Sequence, residues 1–310
     1  MLQLALRQFL VGLATLFVVI TLTFVLMRVL PGGPFDQERK LPPEIEANIE
    51  HKFHLDEPLW QQYAEYMANI AHGDLGPSYK YKTRTVNDIV GEATGVSFFI
   101  GFIAMLIGTL SGVALGAIAG LSQNKNVDHA LSLVGVTSIS TPSFIFGGFL
   151  VLIFALWLRW LPAATLATPA HYVLPVVTLS LVPFAYAFLL IRTSVREMKR
   201  QPFVRIKQSF GLAQEQINLR HILRNSLLPL VSILGPIAAA IMTGSFAVEY
   251  IFAVPGLGKH FITAVSNRDY TVVMGITIVY SVALIAFNML TDIVYGYLDP
   301  RLREESKTGG

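Results

Sequence analysis

Residues 202–229, PFVRIKQSFGLAQEQINLRHILRNSLLP, interleave cations with apolar side chains between two long apolar runs. Arg205 and Lys207 stand among Phe203, Ile206 and Phe210, a pattern suited to docking by a short amphipathic helix rather than to covalent chemistry. Pro202 fits a first helical turn, where its missing N–H is not needed, and Gly211 fits the left-handed position just past a helix end. The spacing therefore predicts a short helix over 203–210. A second amphipathic stretch starts at Gln214, with Ile217, Ile222, Leu223 and Leu227 loosely at helical spacing, and runs into the next apolar segment at Leu228. From Arg192 to Arg224 eight Lys/Arg stand against two acidic residues, Glu197 and Glu215, the imbalance of a cytoplasmic face. Such a helix can dock on a protein groove or lie on anionic lipid, and Phe203, Ile206 and Phe210 suit both.

Other chemistries lack their residues. The phosphate-loop pattern GxxxxGK[ST] is absent: Gly258-Lys259 has neither the upstream glycine nor a following Ser/Thr. No HExxH and no GxSxG occurs, and the seven histidines (51, 54, 72, 129, 171, 221, 260) are scattered in or near loops, where they read as solvated. With no cysteine, disulfides and thiolate metal sites are excluded. The expectation is a chain with no catalytic residue, no metal and no cofactor of its own. Glu249, Asp292, Arg28 and Arg192 lie toward the ends of apolar runs, whereas a self-powered transporter needs ionisable groups nearer the bilayer midplane. A channel needs a filter of ring-forming polar groups, and no such run is present. Energy must then come from another subunit.

The elements that position this insert are membrane spans. Hydrophobic residues make up 53% of the 310 and charged ones 14%, with mean hydropathy +0.57, a composition of polytopic membrane proteins. Runs long enough to cross roughly 30 Å of hydrocarbon lie near 8–30, 94–121, 131–158, 173–192, 228–249 and 272–298. The first follows Arg7 without a small-x-small cleavage pattern and reads as an uncleaved span. Six spans put both termini on one side. Lys125, the 192–224 segment, Arg301, Arg303 and Lys307 share that side, while the opposite short loops hold Arg159, Lys259 and Arg268, so the termini are expected in the cytoplasm.

Residues 31–93 are the one sizeable external piece, with eleven Asp/Glu against six Lys/Arg. Pro42-Pro43-Glu44 opens a predicted helix with Ile45, Ile49 and Phe53 on one stripe. A second, over 57–71, carries Leu59, Tyr63, Met67 and Ile70 and stops before Gly73. Two helices in so few residues form a cap rather than an independent domain. The chain thus divides into a first span (1–30), the cap (31–93), a membrane core (94–300, insert 193–228) and a tail (301–310). In the second span Ala104, Gly108, Gly112, Gly116 and Gly120 place a small residue at every fourth position, a ridge that reads as bundle packing rather than as the lining of a pathway. Thr141-Pro142-Ser143 should kink the third span, and Pro175 and Pro183 are candidates to kink the fourth.

Several strings resemble the permease subunits of ATP-binding-cassette importers, specifically the B-type membrane subunit of bacterial oligopeptide and dipeptide permeases. These are RVLPGGP (28–34), GDLGPSY (73–79), EYIFAVPGLG (249–258), NRDY (267–270) and LDPR (298–301), with KLPPEIEANI (40–49) similar to the oligopeptide branch. The resemblance implies an all-α, six-span type I importer (MetI-like) fold with a small external helical cap between the first two spans. It also implies a non-catalytic half of a peptide pathway in a bacterial inner membrane, with dipeptides, nickel or another small substrate as alternatives. Its implied partners are a second homologous permease, two cytoplasmic ATPases that bind the ATP and magnesium, an extracytoplasmic peptide-binding protein and membrane lipid, with no nucleic acid. The basic insert is similar to that family's "EAA" loop, which implies that Phe203, Arg205, Ile206, Lys207, Phe210, Gly211 and Leu212 dock the ATPase. Ile206 and Lys207 depart from the small residues expected there. Tyr79 and the turn Pro255, Gly256, Leu257 and Gly258 are candidates to face the binding protein. For the cap, facing the binding protein and sealing the bundle stay open as alternatives.

Overall fold

The computed structural model describes residues 2–29, 48, 51–81 and 83–298, and their architecture is helical throughout. In chain order these are α1 (Leu2–Val29), α2 (Leu59–Ala71), α3 (Val86–Leu121), α4 (Lys125–Ser140), α5 (Ser143–Leu150), α6 (Val173–Lys199), α7 (Pro202–Ser209), α8 (Leu228–Met242), α9 (Phe246–Ile251), α10 (Leu257–Ser266) and α11 (Tyr270–Leu298). The predicted helix with Ile45 and Ile49, most of the 28–34, 40–49 and 298–301 strings, and the tail lie outside the described residues.

The glycine ridge fixes the centre of the bundle. A Cβ on Gly108 would lie 2.4 Å from Ser180 O, on Gly112 2.5 Å from Phe184 O, on Gly116 2.7 Å from Phe188 O and on Gly120 2.8 Å from the Val195 side chain. Backbone lies against backbone at Gly108, Gly112 and Gly116, successive turns of α3, which only a bare Cα permits. The paired numbers rise together, so α3 and α6 run parallel. The end of α3 and the start of α6 are therefore at opposite ends of the bundle, and residues 122–172 must carry the chain across it.

That crossing is made by a broken helix. α4 and α5 meet at 108° around Thr141-Pro142, and α5 continues as a π-helical turn, Val151–Trp157. The predicted kink in a single third span is thus a full break, since Pro142 cannot continue α4. Among the described residues five helical stretches are long and apolar enough to span a bilayer, α8 and α9 together forming one of them, and the bent pair taken as one span makes a sixth. Antiparallel packing of α1 on α11 places Gly12 against Ile285, and Gln8 Nε2 donates to Asp292 Oδ2 at 2.7 Å. The Leu2 end of α1, the Leu298 end of α11 and the basic insert consequently share one end of the bundle.

Other expectations shift. α3 begins at Val86, not 94, because Thr85 and Asp88 form a capping box: Asp88 N–H donates to Thr85 Oγ1 at 3.2 Å and Thr85 N–H to Asp88 Oδ2 at 2.9 Å. α6 stays helical from Val173 through Pro183 to Lys199, seven residues past the predicted end. The fifth span breaks after Met242 at Gly244 (φ +99°), which puts Glu249 on the separate short helix α9. On α2, Leu59 is exposed, while Tyr63, Met67 and Ile70 of the predicted stripe are half-buried.

Candidate functional site

The insert is built as its punctuation requires. Pro202 occupies the first turn of α7, and Gly211 at φ +74° ends it, with Gly211 N–H donating to Gln208 O at 2.9 Å and Leu212 N–H to Lys207 O at 3.3 Å. Val204 is 5% exposed and packs into a cluster with Ile191, Val195, Ile217, Ile222 and Leu230, against which Phe203 and Leu212 also rest. The opposite face carries Ile206 and Phe210, 55% and 77% exposed, beside exposed Arg205. The seven predicted docking residues are therefore split: Phe203 and Leu212 anchor the helix to the bundle, Lys207 is half-buried, and Arg205, Ile206, Phe210 and Gly211 face outward.

The following stretch departs from the expected α-helical spacing. Gln214–Gln216 leads into a π-helical segment, Ile217–Leu223. The wider turn brings Ile217 and Ile222, five apart, onto one face, and both are fully buried. Exposed Leu219 extends the apolar outer surface.

Sequence reading missed the clamp that ties this insert to the core. Asp128 on α4 accepts from Arg192 Nε at 2.7 Å and Arg192 Nη2 at 3.0 Å, and pairs with Arg196 Nη2 at 2.6 Å. Lys199 Nζ donates to Leu121 O at 3.1 Å, satisfying a carbonyl in the last turn of α3. A partner 64 residues away leaves no local signal.

At the other end of the bundle a second constellation surrounds Glu249, which is 3% exposed. Ser97 Oγ donates to its Oε1 at 2.7 Å, and Lys259 N–H donates to Oε2 at 3.1 Å. Leu257 N–H donates in turn to Ser97 Oγ at 2.8 Å. Gly244 and Gly256 allow the close approach, since a Cβ on either would stand within 2.6 Å of the carboxylate. Of the turn expected to face a binding protein, Gly256, Leu257 and Gly258 are buried around the carboxylate and Pro255 is exposed. A buried carboxylate needs N–H donors, and the turn supplies them.

Tyr79 is turned inward as well. Its ring meets Phe53 edge to face at 4.9 Å and its N–H donates to Asp269 Oδ1 at 3.2 Å. Burial pushes the Tyr79 phenol above its ordinary pKa, and burial raises Tyr66 likewise. His54 is not simply solvated, since its Nδ1 lies 2.8 Å from Glu57 Oε1 and this bond raises its pKa. Ligand atoms of His54, Glu57 and Glu65 lie within 4.8 Å of one another, with His54 and Glu65 exposed.

A helical bundle of this kind, with a short amphipathic helix at one end, has known counterparts. Residues 112–304 match the family described as "Binding-protein-dependent transport system inner membrane component", and residues 1–83 match its N-terminal membrane component. The chain belongs to this family and is a multi-pass permease subunit of the inner membrane. Its full-length relatives include the oligopeptide transport system permease protein OppB of Haemophilus influenzae, 41% identical over 98% of this chain and 100% of that protein. The dipeptide transport system permease protein DppB of Bacillus subtilis is 42% identical over 97% and 98%. A crystal structure of an amino acid ABC transporter with histidines shares the fold, with TM-score 0.54 and 18% identity over 67% of this chain and 94% of that one.

Proposed function

We propose that this chain is one of two permease halves of an ATP-driven peptide importer, oligopeptides being the substrate class. It pairs with a second, similar permease, receives peptide from an extracytoplasmic binding protein, and docks cytoplasmic ATPases through α7. The chain itself is non-catalytic, and ATP and magnesium are bound by the ATPase partners. Both termini and the basic insert lie in the cytoplasm, in keeping with the Lys/Arg bias of the short loops.

The observation that carries the coupling role is the outward face of α7, where Ile206 and Phe210 stand exposed on a helix held to the core by Val204. ATP can shift an inward/outward equilibrium only through contacts that differ between the two states. A swing from 1:99 to 99:1 needs roughly 5.5 kcal/mol of differential binding. Covering an apolar side chain of this size is worth about 1.5–3 kcal/mol, so Ile206 and Phe210, covered in one state and not the other, supply much of that. A surface lying on lipid in both states would supply none.

The test is uptake of a labelled oligopeptide into proteoliposomes holding both permeases and the ATPases, with binding protein on one side. Uptake is expected to require ATP on the face bearing α7. Accumulation against a gradient by this chain alone would overturn the proposal. The chain has no cysteine, so Ser209→Cys gives a single reporter of sidedness: an impermeant maleimide should label it in inverted vesicles and not in intact cells.

A further inference from the structure

The cap helix α2 lies alongside the first span rather than above it. Thr21 Oγ1 and Tyr63 OH are 2.7 Å apart, Phe24 meets Tyr63 edge to face at 5.3 Å and stacks on Tyr66 at 5.7 Å, and Arg28 Nε donates to Gln62 Oε1 at 2.9 Å. Contacts spread over residues 21–28 of an α-helix cover about 12 Å of its length. α2 is thus packed beside the final turns of α1, at a depth belonging to the bilayer leaflet on that side. Its first turn leaves Leu59 58% and Trp60 71% exposed. Together with Phe24, Val25, Val29 and Tyr63, these residues wall a groove of about 240 Å³ with an almost wholly apolar lining.

We propose that this groove holds an acyl chain of a phospholipid from that leaflet. Three observations select lipid over a soluble partner. The groove is continuous with the exposed apolar side of α1, formed by Leu22, Val25, Leu26 and Val29, on a helix whose composition is that of a membrane span. Trp60 stands at its mouth, at the height where the amphipathic indole concentrates in membrane proteins. Arg28 lines the groove as well, a cation fixed in place by Gln62 Oε1 at 2.9 Å and by the face of the Phe24 ring at 5.0 Å. The cap thereby gains a lipid-filled joint to the first span, independent of which substrate the transporter carries.

The experiment uses the assembled transporter in detergent, titrated with a phosphatidylcholine bearing a diazirine near the top of one acyl chain, followed by photolysis and peptide mapping. Labelling is expected to saturate on residues 24–29 and 59–63, to be competed by unlabelled phospholipid, and to exceed several-fold the labelling of Phe9 and Leu10 at the far end of α1. Leu59→Asp should reduce labelling of residues 24–29 several-fold while leaving Phe9 and Leu10 unchanged. Labelling that does not saturate, or that is equal at both ends of α1, means bulk contact only and overturns the proposal. Absence of label from 59–63 overturns it too, and means that protein covers the groove. The wild-type titration needs no variant to fold.

Discussion

Ser78 donates its hydroxyl proton to the carboxylate of Asp269, joining segments 191 residues apart in sequence. Thr271 Oγ1 donates to Pro77 O at 2.8 Å, and Lys80 and Tyr81 N–H groups close on Ser78 Oγ at 3.2 and 2.9 Å. The GDLGPSY string that ends the cap is thus fastened to the NRDY string that opens the last span. Asp269→Ala would take the acceptor from the Ser78 hydroxyl and the Tyr79 N–H, at about 1–3 kcal/mol for each donor left unpaired. A clear fall in the thermal midpoint of the purified complex and new proteolysis between residues 72 and 84 are expected. An unchanged midpoint would mean that water replaces the carboxylate.

Glu249→Ala should cost more than Ser97→Ala, since the carboxylate serves the Ser97 hydroxyl and the Lys259 N–H at once. About 1–3 kcal/mol is at stake for each donor left unpaired. Glu249→Gln keeps an acceptor for one donor but turns an NH₂ toward the other, so an intermediate loss is expected. Thermal midpoints and peptide uptake in the three variants provide the ranking, and a Gln variant equal to wild type would remove the need for two acceptors.

The glycine ridge makes a position-specific prediction. Gly112→Ala would place its Cβ 2.5 Å from Phe184 O and should destabilise by about 1–3 kcal/mol through overpacking. Gly95→Ala, on the same helix with nothing within 4 Å of the added atom, should be neutral or gain about 0.5–1 kcal/mol. Equal effects at both sites would show that α3 and α6 do not touch along this ridge.

At the end of α7, Gly211→Ala should cost roughly 1–2 kcal/mol locally, because a Cβ at φ +74° crowds the following carbonyl. Phe210→Asp should leave the bundle intact, since the ring is mostly exposed, but lower peptide uptake per ATP hydrolysed. Co-purification of ATPases with this variant separates lost docking from lost coupling, and full uptake would exclude this face from both.

His260 carries a pH signature. Burial holds its imidazole below the ordinary histidine pKa, and Arg84 and Lys259 add to the shift. With the folded value below the unfolded one, the unfolded chain binds more protons as pH falls past about 6.5. A penalty absent above that pH therefore grows through it and is complete below the folded value. His260→Gln should flatten the decline of thermal midpoint on acidification, and parallel declines in both proteins would assign it to other groups.

Much of the site was readable in order along the chain. Pro202 and Gly211 punctuated α7 correctly because helix ends are local events set by φ and by a missing N–H. The Thr85–Asp88 box is equally local, four residues long, and is masked by the longer apolar run beside it. The burial of Gly256, Leu257 and Gly258 was not local, since it follows from a carboxylate arriving on a different helix.

The sequence by itself determined that this is a membrane bundle built on six apolar runs, and where its short basic helix begins and ends. Those properties rest on segment hydrophobicity and backbone rules that act over a few residues. Tertiary structure alone decided that α3 and α6 run side by side, that Asp128 binds Arg192 and Arg196, and that Ile206 and Phe210 face out while Val204 faces in. In hydrocarbon every span is apolar on all sides, so hydrophobic pattern cannot say which faces meet. Close backbone approach and the pairing of a few buried charges make that choice, and both exist only once the helices are assembled.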